Sequence, residues 1–152
     1  LAGGFELAIS CDLIVAAEDA KFGIPEVKRG LAAGAGGLIK LPKQIPSRIA
    51  KELAVTGDFI NAQRAYELGL INRVVPPGTA LEGAKAMAAT IAANGPLAVT
   101  VSKKLVDNAQ DWTNDEMFEK QDPIIDPVMH SEDAIEGATA FAEKRAPVWK
   151  GR

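Results

Sequence analysis

AGGFELAISCDLIVAAEDAKFGIPEVKRGLAAGAGG, residues 2–37, carries most of what decides the fold. Gly3-Gly4 precede Phe5-Glu6-Leu7-Ala8-Ile9-Ser10, which reads as a short helix opening on glycine. Leu13-Ile14-Val15-Ala16-Ala17 is a continuous apolar run of strand length, the pattern of a strand covered on both faces. Glu18-Asp19 is turn-like, and Lys21-Phe22-Gly23 resumes a short extended piece. Pro25 disfavours helix at Ile24, so Glu26 falls just past a rigid bend. Gly34-Ala35-Gly36-Gly37 then leads into another helix.

Outward from that stretch the chain has two regimes. Residues 1–76 mix glycine turns, β-prone runs and short helices; residues 77–152 are almost entirely helix-patterned. Pro46 introduces a helix through Leu53, and Asn61 can cap one that stops at Gly69. Leu70-Ile71-Asn72-Arg73-Val74-Val75 is strand-like, and Pro76-Pro77-Gly78 is the clearest boundary. Beyond it Leu81, Ala84, Ala88 and Ile91 recur at helical spacing, and Leu97, Val101 and Leu105 do so after Asn94-Gly95-Pro96. A third helix is expected around Trp112–Lys120. Ser131 can cap the last one, with Glu132 and Asp133 in its first turn and Lys144 and Arg145 at its end, an order that complements the helix dipole. Ala134, Ala138 and Phe141 are its expected apolar face.

Composition narrows the function classes. At 152 residues, 47% hydrophobic and 24% charged, the chain has the make-up of an ordinary globular domain. A net charge of −3 with no basic stripe gives no footprint for nucleic acid or an anionic membrane. A lone Cys11 excludes an internal disulfide and suits a reducing interior. His130 is the only histidine, so Ser-His-Asp triads and multi-histidine metal sites fail for want of partners. Cys11 has no base in view and reads as a small buried apolar side chain. The Gly34–Gly37 loop lacks the GK[ST] ending of a P-loop and reads as a turn permitting close backbone approach. Trp112 and Trp149 read as packing or interface residues.

Two acids remain in unusual company. Glu6 sits among Phe5, Leu7, Ala8 and Ile9, and carboxylates are rarely buried unless partnered. Taken alone it is more often a solvated acid in a first helical turn, where the dipole favours it. Glu26, past the proline bend, is by itself more often a surface turn acid. Neither residue carries a functional case alone.

The blocks around them do. GG-x-E-LA-x-x-CD at residues 3–12, A-x-FG-x-PE-x-x-x-G at 20–30 and GAGG at 34–37 resemble the signature region of the crotonase (enoyl-CoA hydratase/isomerase) family. TGDFINAQRAYELGLINRVV at 56–75 and AFAEKRAPVWKG at 140–151 match its later elements, in order and at family spacing. QIPSRIAKELAVTGDFI and SEDAIEGATAFAEKRAPVWKGR resemble the crotonobetainyl-CoA (carnitinyl-CoA) hydratase branch.

The resemblance implies an α/β fold: the later, C-terminal part of a crotonase-type spiral of ββα units over residues 1–76, carrying the catalytic carboxylates. A helical oligomerisation region of a trimer, or a doubled hexamer, would follow over 77–152. It implies that Leu1 continues a longer subunit, whose upstream part holds the first strands, a second oxyanion donor and much of the CoA pocket. The implied activity is syn addition of water to a 2-enoyl-CoA, or the reverse dehydration, in the manner of fatty acid metabolism. Glu6 would be base toward the water, Glu26 would deliver a proton to C2, and the Gly3 N–H would form part of an oxyanion hole. The Gly34 N–H would help place the water. Phe141 and Lys144 match positions that reach the CoA of a neighbouring subunit. No metal or other cofactor is implied, because CoA enters as the substrate's handle. Neither nucleic acid nor membrane is an expected partner, and a cytoplasmic setting is expected, with the mitochondrial matrix left open. Isomerases of the family generally keep one of the two acids, so both together favour hydration. Other family chemistries, a crotonase-fold RNA-binding protein and a subunit with a dead site are the alternatives; the negative charge opposes the second, and the intact Glu6, Glu26 and Gly3 oppose the third.

Overall fold

A computed structural model describes all residues from Leu1 to Arg152. The chain divides into two compact units, Leu1–Ala86 and Met87–Arg152. The turn at Pro76–Thr79 separates the last strand from a helix, and the units part within that helix.

The first unit opens with α1 (Ala2–Ala8), which takes in both glycines rather than starting after them. β1 (Val15–Ala17) and β2 (Lys21–Phe22) follow, then a 3₁₀ helix over Pro25–Arg29. Pro25 supplies its first position, and Ile24 stays non-helical at φ −120°, ψ 77°, as a residue before proline should. α2 (Gly37–Gln44), α3 (Ser47–Thr56), β3 (Ile60–Asn61), α4 (Ala62–Glu67) and β4 (Arg73–Val75) complete the order. β1 pairs in parallel with β4, with Val15 opposite Arg73, and β2 pairs antiparallel with β3, with Phe22 opposite Ile60. The Asn61 side chain caps α4, accepting the Arg64 N–H at 2.8 Å. Both long apolar runs contribute less strand than their patterns suggest. Leu13 is exposed, and Leu70 and Ile71 enter the core from a loop ahead of β4.

The core of this unit is built from Phe5, Ile9, Phe22, Ile24, Leu41, Ile45 and Leu53, with Ala50 from α3 and Ala62 and Ala65 from α4. Burying a side chain of the larger kind contributes roughly 1.5–3 kcal/mol. Phe5 and Phe22 meet edge to face, centroids 5.6 Å apart, so α1 is pinned on the strand that leads toward Glu26. Cys11 is exposed rather than buried; its thiol lies 3.6 Å from the Leu7 carbonyl, past the end of α1.

α5 (Ala80–Ala92) runs from one unit into the other. The second unit continues with α6 (Pro96–Ala109), α7 (Met117–Met129) and α8 (Glu132–Glu143). α7 corrects the expectation of a helix at 112–120. It starts five residues later and runs through Pro123 and Pro127. Each proline deletes one backbone hydrogen bond, leaving a carbonyl one turn earlier without that partner, and the exposure of α7 lets water meet it.

α8 is capped as expected, Ser131 Oγ accepting the Ala134 N–H at 3.0 Å, but its packed face is different. Asp133, Gly137 and Ala140 face inward, while Ala138 is exposed and Phe141 is 88% exposed. The reason is the C-terminal segment, which folds back as a strap. Trp149 lies against Gly95 and Gly137 and donates its indole N–H to the Ala93 carbonyl at 2.8 Å. Asp133 is buried and accepts the Lys150 N–H at 2.7 Å and the Gly151 N–H at 2.9 Å. Glu136 takes the Val148 N–H and both terminal nitrogens of Arg145, and those bonds pull its carboxyl down to about 2. A depressed carboxyl stabilises the fold above its unfolded value and loses that contribution as pH falls through the folded one. The strap is therefore expected to loosen between about pH 4.5 and 2, seen as a change in Trp149 emission that Glu136→Gln removes.

Candidate active site

Glu6 is 4% exposed, in the middle of α1, so the solvated-acid alternative does not hold. Its burial is compensated. Oε1 accepts the Ala35 N–H at 2.9 Å and the Gly37 N–H at 2.8 Å. The two donors, one residue apart, converge because Gly36 between them takes φ +103°, a conformation that L side chains avoid. Gly37 is also the first residue of α2, whose positive dipole end faces the carboxylate. A Cβ at Gly37 would stand 3.0 Å from Glu6 Cγ and Oε1, so a side chain there would press the carboxylate out of place by a few tenths of an ångström.

Glu26 is the second residue of the 3₁₀ helix and is half-buried. Its Oε2 is fully buried and has no hydrogen-bond partner in the chain. Buried polar atoms nearly always have partners, and an exception calls for an explanation such as a catalytic role or a bound water.

Gly3 lies in the first turn of α1, where backbone N–H groups have no intrahelical acceptor, and none is found elsewhere. Its φ is not positive and a Cβ there would meet nothing within 4 Å. The strained residue is its neighbour Ala2, at φ +51°, a left-handed conformation that costs a non-glycine roughly 1–2 kcal/mol. That twist sends the Ala2 N–H to the Gly23 carbonyl at 3.0 Å, tying the start of α1 to the segment entering Glu26. Gly23 is fixed in turn, since a Cβ would come within 2.6 Å of Phe59 Cδ1 and 2.8 Å of the Asp58 carbonyl oxygen. Hydrogen bonds thus join Glu6 to the Gly34–Gly37 loop, and Ala2, next to Gly3, to Gly23, three residues ahead of Glu26; the Gly34 N–H has no acceptor in the chain.

Phe141 lies in the last turn of α8 and Lys144 just past it, both exposed, and Lys144 holds the left-handed C-cap at φ 56°, where glycine is usual. Ala35 and Gly37 were not singled out by sequence as partners of Glu6. The repeated glycines signalled a close approach, but the approaching group lies about thirty positions upstream, which local pattern does not encode.

Comparison with known proteins accords with this geometry. The family model described as Enoyl-CoA hydratase/isomerase matches residues 1–152. A carnitinyl-CoA dehydratase of Salmonella typhi is 41% identical over 99% of this chain and 59% of its own length, and that of Escherichia coli K12 is 40% identical with the same coverage. Among solved structures, an enoyl-CoA hydratase from Mycobacterium tuberculosis H37Rv superposes with a TM-score of 0.96 at 58% identity, over 99% of this chain and 60% of that one. One from Bacillus anthracis gives a TM-score of 0.94 at 40% identity, over 99% and 58%. The chain spans about three fifths of the length of these relatives. A match along its whole length, two superpositions above 0.9 and identities of 40% or more leave one conclusion: the chain belongs to the enoyl-CoA hydratase/isomerase, or crotonase, family.

Proposed function

We propose that the protein hydrates a 2-enoyl-CoA thioester and, in reverse, dehydrates the 3-hydroxyacyl-CoA. The observation that carries this reading is the pair of acids in opposite surroundings. Glu6 has one oxygen held by backbone donors, whereas Glu26 has a buried oxygen with no hydrogen-bond partner within the chain. The first suits a base held in one orientation and the second suits a group that hands a proton to carbon. Water attacks C3 as Glu6 takes its proton. The electron pair of the double bond moves toward the thioester carbonyl, and Glu26 delivers a proton to C2. The Gly3 N–H, unengaged at the positive end of α1, supports the charge growing on the carbonyl oxygen, and the Gly34 N–H helps hold the water. An apolar cavity of about 200 Å³ floored by Ile24, Leu41 and Ala50 borders Gly37 and suits a short acyl chain.

A carnitinyl-CoA dehydratase is the second reading, favoured by relatives of that name at 40–41% identity. The 58% identity to a mycobacterial enoyl-CoA hydratase favours the simpler substrate. Turnover of crotonyl-CoA against crotonobetainyl-CoA by the intact protein separates the two, and failure with every 2-enoyl-CoA would refute both.

Assembly is part of the proposal. α5, α6 and α7 contain no buried residue, and Leu81, Val106, Phe118 and Met129 are each more than 60% exposed. So much apolar surface on three amphipathic helices suits contact with further copies of the chain, as a trimer or a doubled trimer. Phe141 and Lys144 would then be free to meet the CoA of a neighbour. Sedimentation of the intact protein at micromolar concentration is expected to give a trimer or hexamer; a monomer would overturn this.

A further inference from the structure

The two bonds at Glu6 Oε1 carry an inference about which oxygen reacts. A carboxylate oxygen offers two lone-pair sites, and on Oε1 both are taken, by the Ala35 N–H at 2.9 Å and the Gly37 N–H at 2.8 Å. Oε2 makes no hydrogen bond within the chain. We propose that Ala35, Gly36 and Gly37 form a positioning cradle that commits Oε1 to the backbone and leaves Oε2 as the one oxygen that exchanges a proton with water. The reaction in question rests on the hydratase reading; the cradle does not.

Each residue has a separate part. Gly36 turns the two amides toward one point through its φ of +103°. Gly37 keeps the space its own Cβ would fill, 3.0 Å from the carboxylate it holds. Ala35 donates through its backbone, so its side chain is free to vary. With Oε1 fixed, rotation that would swap the two oxygens is blocked. The proton leaving water has one destination, Oε2, as the water oxygen bonds to C3 and Glu26 gives its proton to C2. Orientation of this kind is sensitive to small displacements, and about 1 Å can cost on the order of 10²-fold in rate.

The test uses the full-length protein with crotonyl-CoA, in the parent, Gly37→Ala, Glu6→Gln and the double variant. Gly37→Ala is expected to lower kcat about 10–100-fold with KM within about threefold, because the lost interaction acts on the transition state. In the Glu6→Gln background the same change should cost nothing further, since no working carboxylate remains to be displaced. Equal losses in both backgrounds, or an unaffected kcat, would overturn the cradle as a positioning device. Amide proton resonances give a readout that needs neither turnover nor a folded Gly37→Ala. Those of Ala35 and Gly37 should move upfield in Glu6→Gln, as a charged acceptor becomes a neutral one. Unmoved resonances would refute the cradle. Shifts that move in a protein that turns over no 2-enoyl-CoA would leave the cradle standing and remove the hydratase reading.

Discussion

Replacing Glu26 by glutamine is expected to lower hydration of an enoyl-CoA at least ~10²-fold while leaving fold and thioester binding intact, and Glu6→Gln should do the same. The surroundings of each acid explain why the fold should survive. At Glu6 the glutamine carbonyl can take the place of Oε1 and keep both backbone bonds, 2.9 and 2.8 Å in the parent. Its amide nitrogen then stands where Oε2 was, a donor where an acceptor is needed. At Glu26 the buried Oε2 already has no partner, so an amide there adds little new cost in packing but cannot protonate C2. Steady-state turnover beside calorimetric binding of a saturated acyl-CoA checks both halves of the expectation. Near-normal turnover by both variants would dismiss the two-carboxylate mechanism. Activity retained by the Glu6 variant alone would point to isomerisation instead.

Gly3→Pro is the second large effect, because it removes a backbone atom from the chemistry rather than a side chain. A loss of about 10²–10³ in turnover is expected, or roughly 2.7–4 kcal/mol of transition-state stabilisation for one oxyanion donor. Proline is tolerable in a first helical turn, but it restricts the residue before it, and Ala2 already holds φ +51° to reach Gly23. Circular dichroism and thioester binding must therefore accompany the rate. Gly3→Ala is the matching control, and the structure settles its backbone term. Gly3 has no positive φ, and an added Cβ meets nothing within 4 Å, so the variant should fold normally and keep its N–H. Any activity it loses measures a methyl facing the thioester. Proline no worse than alanine would dismiss the Gly3 donor.

The parts of the fold legible in sequence were those set by neighbours a few positions apart. Asn61 and Ser131 cap their helices as their positions suggest, and Pro25 holds Ile24 out of the helix that carries Glu26. What escaped depends on distant residues. The burial of Glu6 is decided by donors on the Gly34–Gly37 loop, and without them a carboxylate there belongs in water. The inward face of α8 is decided by Trp149 and the strap, which turn Asp133, Gly137 and Ala140 inward and leave Phe141 outside. α7 passes two prolines because its exposed carbonyls can be solvated, an option invisible to a rule that ends helices at proline. Gly3, Gly34, Glu6 and Glu26 stood out only as parts of ordered blocks, since each taken singly had a commoner explanation.

The strap also changes how the far end of this chain must be handled. Residues 150–152 look disposable by position, yet they give Asp133 two amide donors and take its N–H through the Arg152 carbonyl at 3.1 Å. Lys150 and Arg152 both reach Glu132 as well. Loss of these three residues would therefore strand a buried carboxylate, an injury of the same kind as a charged substitution in a core. Substitution of Gly151 would injure the same clasp, because its φ of +73° is a backbone conformation that a side chain strains.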